Sequence, residues 1–486
     1  MRPPLTPSII DAIRDPKLFA PQFARGNWTA WKTCIRSIFG LPLAPDELPL
    51  YRECTGRQDA PTIRAKTSWL IVGRRGGKSR VLALIASYLA AFGNCSQYLV
   101  AGERARVVCV AADKKQAAIL LNYIHAFLSG TELLAPLIQR ETAEEIELSN
   151  NVTIEVVTCS YKTIRGRTVV AALCDEAAFW ADETGQNPAS AVIASLLPSM
   201  ATIPGSLLLV ASSPYAKRGP LWDAFKRYWS KSGKIFVWKA PTWVMHPSLS
   251  RDCAVIAEAF ENDPASASSE YGADFRSDVG AFIDREIVDA AVIPGRHELM
   301  RESGTRYFAF ADPSGGSSDS MTLAIAHARD KLVILDALRE WRPPFSPDAV
   351  VQECAATLKG FGITRVFGDR YAGEWPRERF RVHGIDYQPA EQTKSELYLS
   401  LLPLLNSGRA ELLDHARLTA QLCSLERRTA RSGRDSIDHA PGSHDDLINS
   451  AAGALVGAVE RTPLIIPKTL LRRVSQVRSP VRCVHY

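Results

Sequence analysis

The sequence predicts an α/β protein with two successive sheet-based domains, and three observations carry that prediction. From Trp69 to about residue 245, apolar strand-like runs alternate with helical stretches, the pattern of a mostly parallel sheet with helices on both faces. The first of these runs, Trp69-Leu70-Ile71-Val72, opens through Gly73-Arg74-Arg75-Gly76-Gly77 into Lys78-Ser79 and an apolar helix. A second, independent series of strands starts at Arg306, and several of its strands end in an acid. The 486 residues suffice for two or three domains with their own cores.

Composition excludes some classes and leaves others open. With 46% hydrophobic and 23% charged residues the chain reads as globular. A formal charge of +6 permits a polyanionic partner without requiring one. The ten cysteines show no C-x-x-C spacing, and Cys109, Cys159 and Cys174 sit in apolar runs, which predicts reduced, buried thiols and a cytoplasmic setting. The most apolar stretch, Val81 to Phe92, is too short to span a bilayer, so no membrane association is expected.

Residues 1–50 read as an N-terminal arm, with helical spacing from Trp28 to Phe39. Gln58 stands shortly before the Gly-rich turn, where some ATPases place an adenine-reading glutamine. In the turn itself, small residues let consecutive backbone N–H groups face phosphate, and the following helix adds its positive end. Lys78 would neutralise phosphate and Ser79 would hold Mg²⁺. Val72 stands where the general G-x-x-x-x-G-K-[ST] pattern has its first glycine.

Downstream, Val107–Ala112 is a buried strand, Lys114–Leu128 a helix, and Ile146–Val157 a hairpin turning at Asn150-Asn151. The strand from Val169 delivers Asp175 and Glu176 at its C-terminal end, the edge at which open α/β sheets bind ligands. One acid suits the water shell of Mg²⁺ and the other the attacking water. The strand Ser206–Ser213 ends in hydroxyls placed to sense a γ-phosphate. Residues 246–300 read as a linker or connecting subdomain.

In the second half, Tyr307–Asp312 is a strand ending in an acid, followed by a Gly/Ser turn with Asp319 and strands over Met321–His327 and Lys331–Trp341. Thr364–Asp369 is another strand with an acid at its tip, and His444-Asp445-Asp446 opens an Ala-rich helix reaching Val459. Carboxylates at two strand ends and one helix start can converge on hard cations, and two metals so held support phosphodiester cleavage. Successive helical side chains diverge by about a hundred degrees. Asp446 is therefore expected to be the essential ligand, with Asp445 as an N-cap that Asn can partly replace. The tail, residues 461–486, has six Lys or Arg and no acid, and reads as a flexible segment able to contact DNA or a protein.

With these elements in place, the chain resembles the large terminase subunit of tailed double-stranded DNA bacteriophages over most of residues 50–460. The carriers are GRRGGKS, Ser160-Tyr-Lys-Thr-Ile-Arg165-Gly166 leading into LCDEAAFW, VASSP, and the acids of FAFADPSGGSSDS, VFGDRY and SHDDLINSAAG. The family commonly lacks the first loop glycine, as here. The resemblance implies a P-loop ASCE-type ATPase domain over 51–245 and an RNase H-like nuclease domain over 301–460. By position, Gly73, Arg74, Arg75, Gly76, Gly77, Lys78, Ser79 and Asp175 would bind ATP and Mg²⁺, with Glu176 as catalytic base and Ser212 and Ser213 at the coupling element. Asp312, Asp369 and one or both of Asp445 and Asp446 would hold Mg²⁺ or Mn²⁺ for cleavage, with Asp319 as an accessory acid. Arg74, Arg75, Arg140 and Arg165 stay open as arginine fingers.

The implied partners are double-stranded DNA, a small terminase subunit, the portal of the prohead and further copies in a ring, all in the host cytoplasm. A helicase-like repair ATPase fused to a nuclease is the competing class, and it predicts a second RecA-like lobe. A non-catalytic DNA-binding scaffold predicts loss of Lys78, Glu176 or the acids, all of which are present.

Overall fold

The computed structural model describes residues 6–159, 167–180, 188–316, 319–369, 375–429, 435–440 and 443–460. These fall into two compact units, one of residues 1–282 with 426–444, the other of residues 283–425 with the chain from Asp445. The division corrects two expected boundaries. The stretch 246–282 is part of the first unit, carrying the helices Ala254–Asn262 and Pro264–Glu270, and the second sheet's unit gives up 426–444 to the first. Periodicity could not show this, because short helices with Ser and Pro at their ends read locally as loop.

The first unit holds strands β1 (Thr67–Val72), β2 (Ala105–Ala111), β3 (Ile138–Glu141), β4 (Glu145–Leu148), β5 (Val152–Thr158), β6 (Val169–Asp175), β7 (Leu207–Ser212) and β8 (Ile235–Ala240) in one sheet, ordered β3-β4-β5-β2-β6-β7-β1-β8. From β5 to β8 every pairing is parallel, and β3-β4-β5 form an antiparallel edge with Asn151 at φ 64° in the turn. Strand β7 lies between the strand entering the Gly-rich turn and the strand carrying the acids, which is the additional-strand arrangement that ASCE denotes. Both faces are covered, which explains the near-continuous apolar runs. Alternation sends Leu70 and Val72 to one face, against Trp31, Ile35 and Leu84, and Trp69 and Ile71 to the other, against Val192 and Leu221. The N-terminal helix Thr29–Phe39 thus belongs to the core of the unit, with Trp31, Cys34, Ile35 and Ile38 buried. A short strand, β9 (Val279–Ala281), completes the contribution of this stretch.

The second unit is built on β10 (Tyr307–Asp312), β11 (Met321–Arg329), β12 (Leu332–Trp341), β13 (Arg365–Gly368), β14 (Asp386–Pro389) and β15 (Ala410–Glu411), ordered β14-β13-β10-β11-β12-β15. Strands β10, β11 and β12 form an antiparallel meander, and β13 and β14 extend the free edge of β10 in parallel. This is the RNase H-like layout. Two further strands, β16 (Leu425–Thr429) and β17 (Asp435–His439), form a small sheet with β9, in which β16 and β9 run antiparallel.

The helix Asp446–Glu460 packs on β10 and β11, and two glycines make the approach possible. A Cβ at Gly453 would stand 2.2 Å from the Phe310 ring, and one at Gly457 2.1 Å from Phe308. The rings therefore fill the space that side chains would take. Gly453→Ala should cost about 1–3 kcal/mol through overpacking and regain roughly 1 kcal/mol in helix propensity, a net loss of up to about 2 kcal/mol. Urea unfolding of the two proteins measures the difference, and a more stable variant would show that the helix has room to shift.

Candidate active sites

In the first unit the parallel register brings three strand ends together. Ile71 pairs with Ser212, and Asp175 with Ala211, so the Gly-rich turn, Ser212-Ser213 and Asp175-Glu176 share one edge. The turn is shaped by close backbone approach. A Cβ at Gly73 would lie 2.4 Å from Thr242 Oγ1 and 2.5 Å from the Tyr271 carbonyl, and one at Gly76 would lie 2.6 Å from Val72 Cγ1. Gly77 adopts φ 91° at the helix start, and Arg75 reaches φ 62° without that freedom. The Trp31 indole N–H donates to the Gly76 carbonyl at 2.7 Å, pinning the turn from the N-terminal helix.

Lys78 is buried and reads this edge directly. Its Nζ lies 3.1 Å from Glu176 Oε1, donates to Ser213 Oγ at 3.1 Å, and donates to the carbonyls of Val72 and Gly73 at 3.1 and 3.4 Å. Glu176 Oε2 accepts from Ser212 Oγ and from the Ser213 N–H, each at 3.2 Å. The residue sits at φ 51°, ψ 42°, a left-handed conformation costing on the order of 1–3 kcal/mol and held here by these contacts. Ser79 Oγ donates to Asp175 Oδ2 at 2.5 Å, and the Trp180 indole donates to the Asp175 carbonyl at 2.7 Å. Burial, and after it the Glu176 charge, push the Asp175 carboxyl up to about 6, against the downward pull of Ser79 and Lys78. The buried Asp175 Oδ1 has no hydrogen-bond partner among the described residues, so a hydrated cation beside Ser79 and Asp175 fits the donor set.

In the second unit, register again explains convergence. Ala311 pairs with Gly368 across parallel strands, so Asp312 and Asp369 leave the same edge side by side. A Cβ at Gly368 would stand 2.3 Å from the Tyr387 hydroxyl, which donates to the Asp369 carbonyl at 3.0 Å. Thr322, opposite Asp312, donates its hydroxyl to the Asp446 carbonyl at 2.8 Å and ties the helix start to the sheet. Asn449 donates to Asp312 Oδ2 at 2.8 Å. Burial first, and after it the charges of Asp446, Asp369 and Asp445, push the Asp312 carboxyl up to about 8 against the downward pull of the Asn449 bond. The same cluster, through Asp312 and Asp369 and after burial, raises the Tyr387 hydroxyl. Among the described residues no three His, Cys, Asp or Glu side chains are already drawn into a closed metal-ligand set. The crowding of three further carboxylates around Asp312 nonetheless fits a site that a divalent cation would relieve.

No family model and no curated protein matches the sequence. Among solved structures, bacteriophage large terminases are similar to this chain. The HK97 bacteriophage large terminase is 18% identical, covers 81% of this chain and 91% of its own, and has a TM-score of 0.36. The large terminase nuclease of thermophilic phage G20c is 18% identical over 35% of this chain and 94% of its own, with a TM-score of 0.31. The large terminase of another thermophilic bacteriophage is 10% identical over 90% of this chain and 99% of its own, with a TM-score of 0.37.

Side chains beyond the motifs complete both sites. Spacing predicts Asp445 as the cap of the last helix, and its carbonyl does accept from the Asn449 N–H. Its carboxylate does something else, because Oδ2 accepts from Tyr398 at 2.8 Å and lies 2.9 Å from Lys394 Nζ. The first free N–H groups, of Leu447 and Ile448, donate instead to Gln421 Oε1 at 2.9 and 3.1 Å. The expectation that Asn replaces Asp445 as a cap is therefore corrected, since the carboxylate is committed to a lysine. Asp319 is exposed, with its carbonyl accepting from Ser314, and no described contact joins it to the acids.

Of the arginine candidates, Arg74 pairs with Glu270 at 3.1 Å, Arg140 with Glu147 at 3.1 Å, and Arg75 is exposed. Arg165, with the whole segment 160–166, and the tail 461–486 lie outside the described residues. Gln58 is exposed after the helix Leu48–Thr55. Of the supporting residues, only Asn449 left a signal, standing three residues after Asp446 and hence on the same helix face. Replacing Asn449 by Ala should lower DNA nicking about 10–100-fold and move its half-maximum to higher Mn²⁺, as for other supports of metal ligands. A Mn²⁺ titration of plasmid nicking measures it, and unchanged activity would make the Asp312 contact incidental.

Proposed function

We propose that the chain is a terminase large subunit, with an ATPase in the first unit that drives double-stranded DNA into a prohead and a metal-dependent nuclease in the second that cuts concatemers. The observation that carries this reading is Lys78 bridging Glu176, Ser213 and the turn carbonyls beside the Ser79–Asp175 pair. Nucleotide phosphate would draw Lys78 away from these partners, releasing Glu176 to orient water and take its proton. Ser79 and Asp175 would hold Mg²⁺, which when bound spreads the charge of the transferred phosphoryl group. Ser212 and Ser213, bonded to Glu176, would pass its state to β7. Asp312, Asp369 and Asp446 would gather the nuclease cations, with Mn²⁺ able to replace Mg²⁺, and Asp445 would join them only by giving up its pair with Lys394.

On this reading the partners are a small terminase subunit, the portal and further copies of the chain in a ring. The setting is the cytoplasm of a bacterial host, and no described helix is long and apolar enough to cross a membrane. The test is ATP-dependent protection of DNA from DNase in the presence of purified proheads. Protected DNA with the native chain and none with Lys78→Ala is expected. ATP hydrolysis without protection under any portal condition would refute the motor.

A further inference from the structure

At the opposite end of the second unit's sheet lies a cavity of about 920 Å³ that neither proposed chemistry uses. It is walled by the entry of β10, the exit of β11 and the entry of β13, with Tyr307 and His327 paired across the first two. The six residues of β10, at about 3.4 Å each, put roughly 17 Å between Tyr307 and Asp312, so a ligand here does not reach the acids.

Four arginines line this cavity, Arg301, Arg306, Arg329 and Arg365. Arg365 pairs with Asp386 at 2.7 Å, whereas Arg301, Arg306 and Arg329 are exposed and form no ion pair among the described residues. The Arg301 guanidinium lies against Gly362, where a Cβ would come within 2.8 Å of it. Glu302 and Asp386 are the acids of the lining, so positive charge prevails. His327 forms part of the wall and is 5% exposed. Its Nδ1 is bonded to Asp336 at 2.7 Å, and its buried Nε2 has no hydrogen-bond partner among the described residues. The Tyr307 ring meets His327 edge-on at 5.6 Å and Phe361 at 5.1 Å, which adds a flat apolar wall.

Unpaired guanidinium groups match phosphate oxygens in bidentate geometry, and aromatic walls accept a base. The volume suits a ligand of nucleotide size. We propose that this cavity is a second ligand site, taking the phosphate of a nucleotide, either free or as part of a DNA strand. The basic segment 461–486 is a poor occupant on charge alone, since it carries the same sign as the arginines. The proposal does not depend on either enzymatic reading.

The test uses the full chain carrying Lys78→Ala, so that the Gly-rich turn contributes little binding. Two probes are titrated by fluorescence anisotropy, ADP with a methylanthraniloyl label and a fluorescein-labelled single-stranded oligodeoxynucleotide of about ten residues. Adding Arg306→Glu and Arg329→Glu should weaken one or both probes at least about tenfold, with an unchanged thermal midpoint. Weakening of ADP alone assigns a free nucleotide, and weakening of the oligonucleotide assigns the strand. No change with either probe, or equal weakening by Arg381→Glu, which is exposed outside the cavity, would overturn the proposal.

Discussion

Glu176→Gln is expected to keep nucleotide binding and to lose turnover by about 10²–10⁴-fold, the usual cost of removing a general base. The amide preserves the shape of the side chain and can still accept from Ser212 and the Ser213 N–H, which hold Glu176 Oε2 at 3.2 Å. It cannot take a proton from water. It also removes the negative partner of Lys78 at 3.1 Å, so phosphate no longer competes with a carboxylate for that ammonium. Binding should hold or tighten for this reason. Labelled-ATP affinity and steady-state hydrolysis at saturating ATP separate the two effects. Near-normal hydrolysis would remove Glu176 from the role of base.

A loss of similar size is expected in the second unit for Asp369→Asn and Asp312→Asn. Supports of metal ligands cost about 10–100-fold when removed, so a carboxylate taken from the cluster itself should cost cleavage at least about a hundredfold. Hydrolysis of ATP should stay at the native rate in both variants. Added Mg²⁺ should raise the thermal midpoint of the native protein more than that of Asp312→Asn, because the crowded Asp312 carboxyl, pushed up to about 8, gains most from a cation. Plasmid nicking and differential scanning fluorimetry over one Mg²⁺ series check both statements. Full cleavage by either variant would place the metal elsewhere.

The motif residues were legible because each lies where a strand ends or a helix begins. Apolar runs reveal those ends from sequence alone, and parallel pairing then brings such ends to one edge, as Asp175 with Ser212 and Asp312 with Asp369. The supports were not legible. Trp31 is 45 residues from Gly76 in sequence, and Lys394 and Tyr398 reach Asp445 from a separate helix. Gln421 took over the capping that local spacing assigned to Asp445, because a side chain supplied by tertiary packing competes with the nearest residue for the same N–H groups. The boundary near 282 was hidden for a related reason. Strands β9 and β16 pair across a wide separation in sequence, and short polar strands carry little periodicity.

The small sheet they form holds a further contact without a local signal. Buried Glu426 on β16 accepts from Tyr215 and Arg218, just beyond the Ser212-Ser213 element.

The central claim is that one chain carries two separable engines, and the most direct measurement is plasmid nicking with Mn²⁺ and no nucleotide, run on the native chain, Lys78→Ala and Asp369→Asn. The account predicts equal nicking by the native chain and Lys78→Ala, and none by Asp369→Asn, while ATP hydrolysis in the same preparations is lost only in Lys78→Ala. Loss of nicking in Lys78→Ala, or a strict requirement for ATP in the native chain, would contradict it.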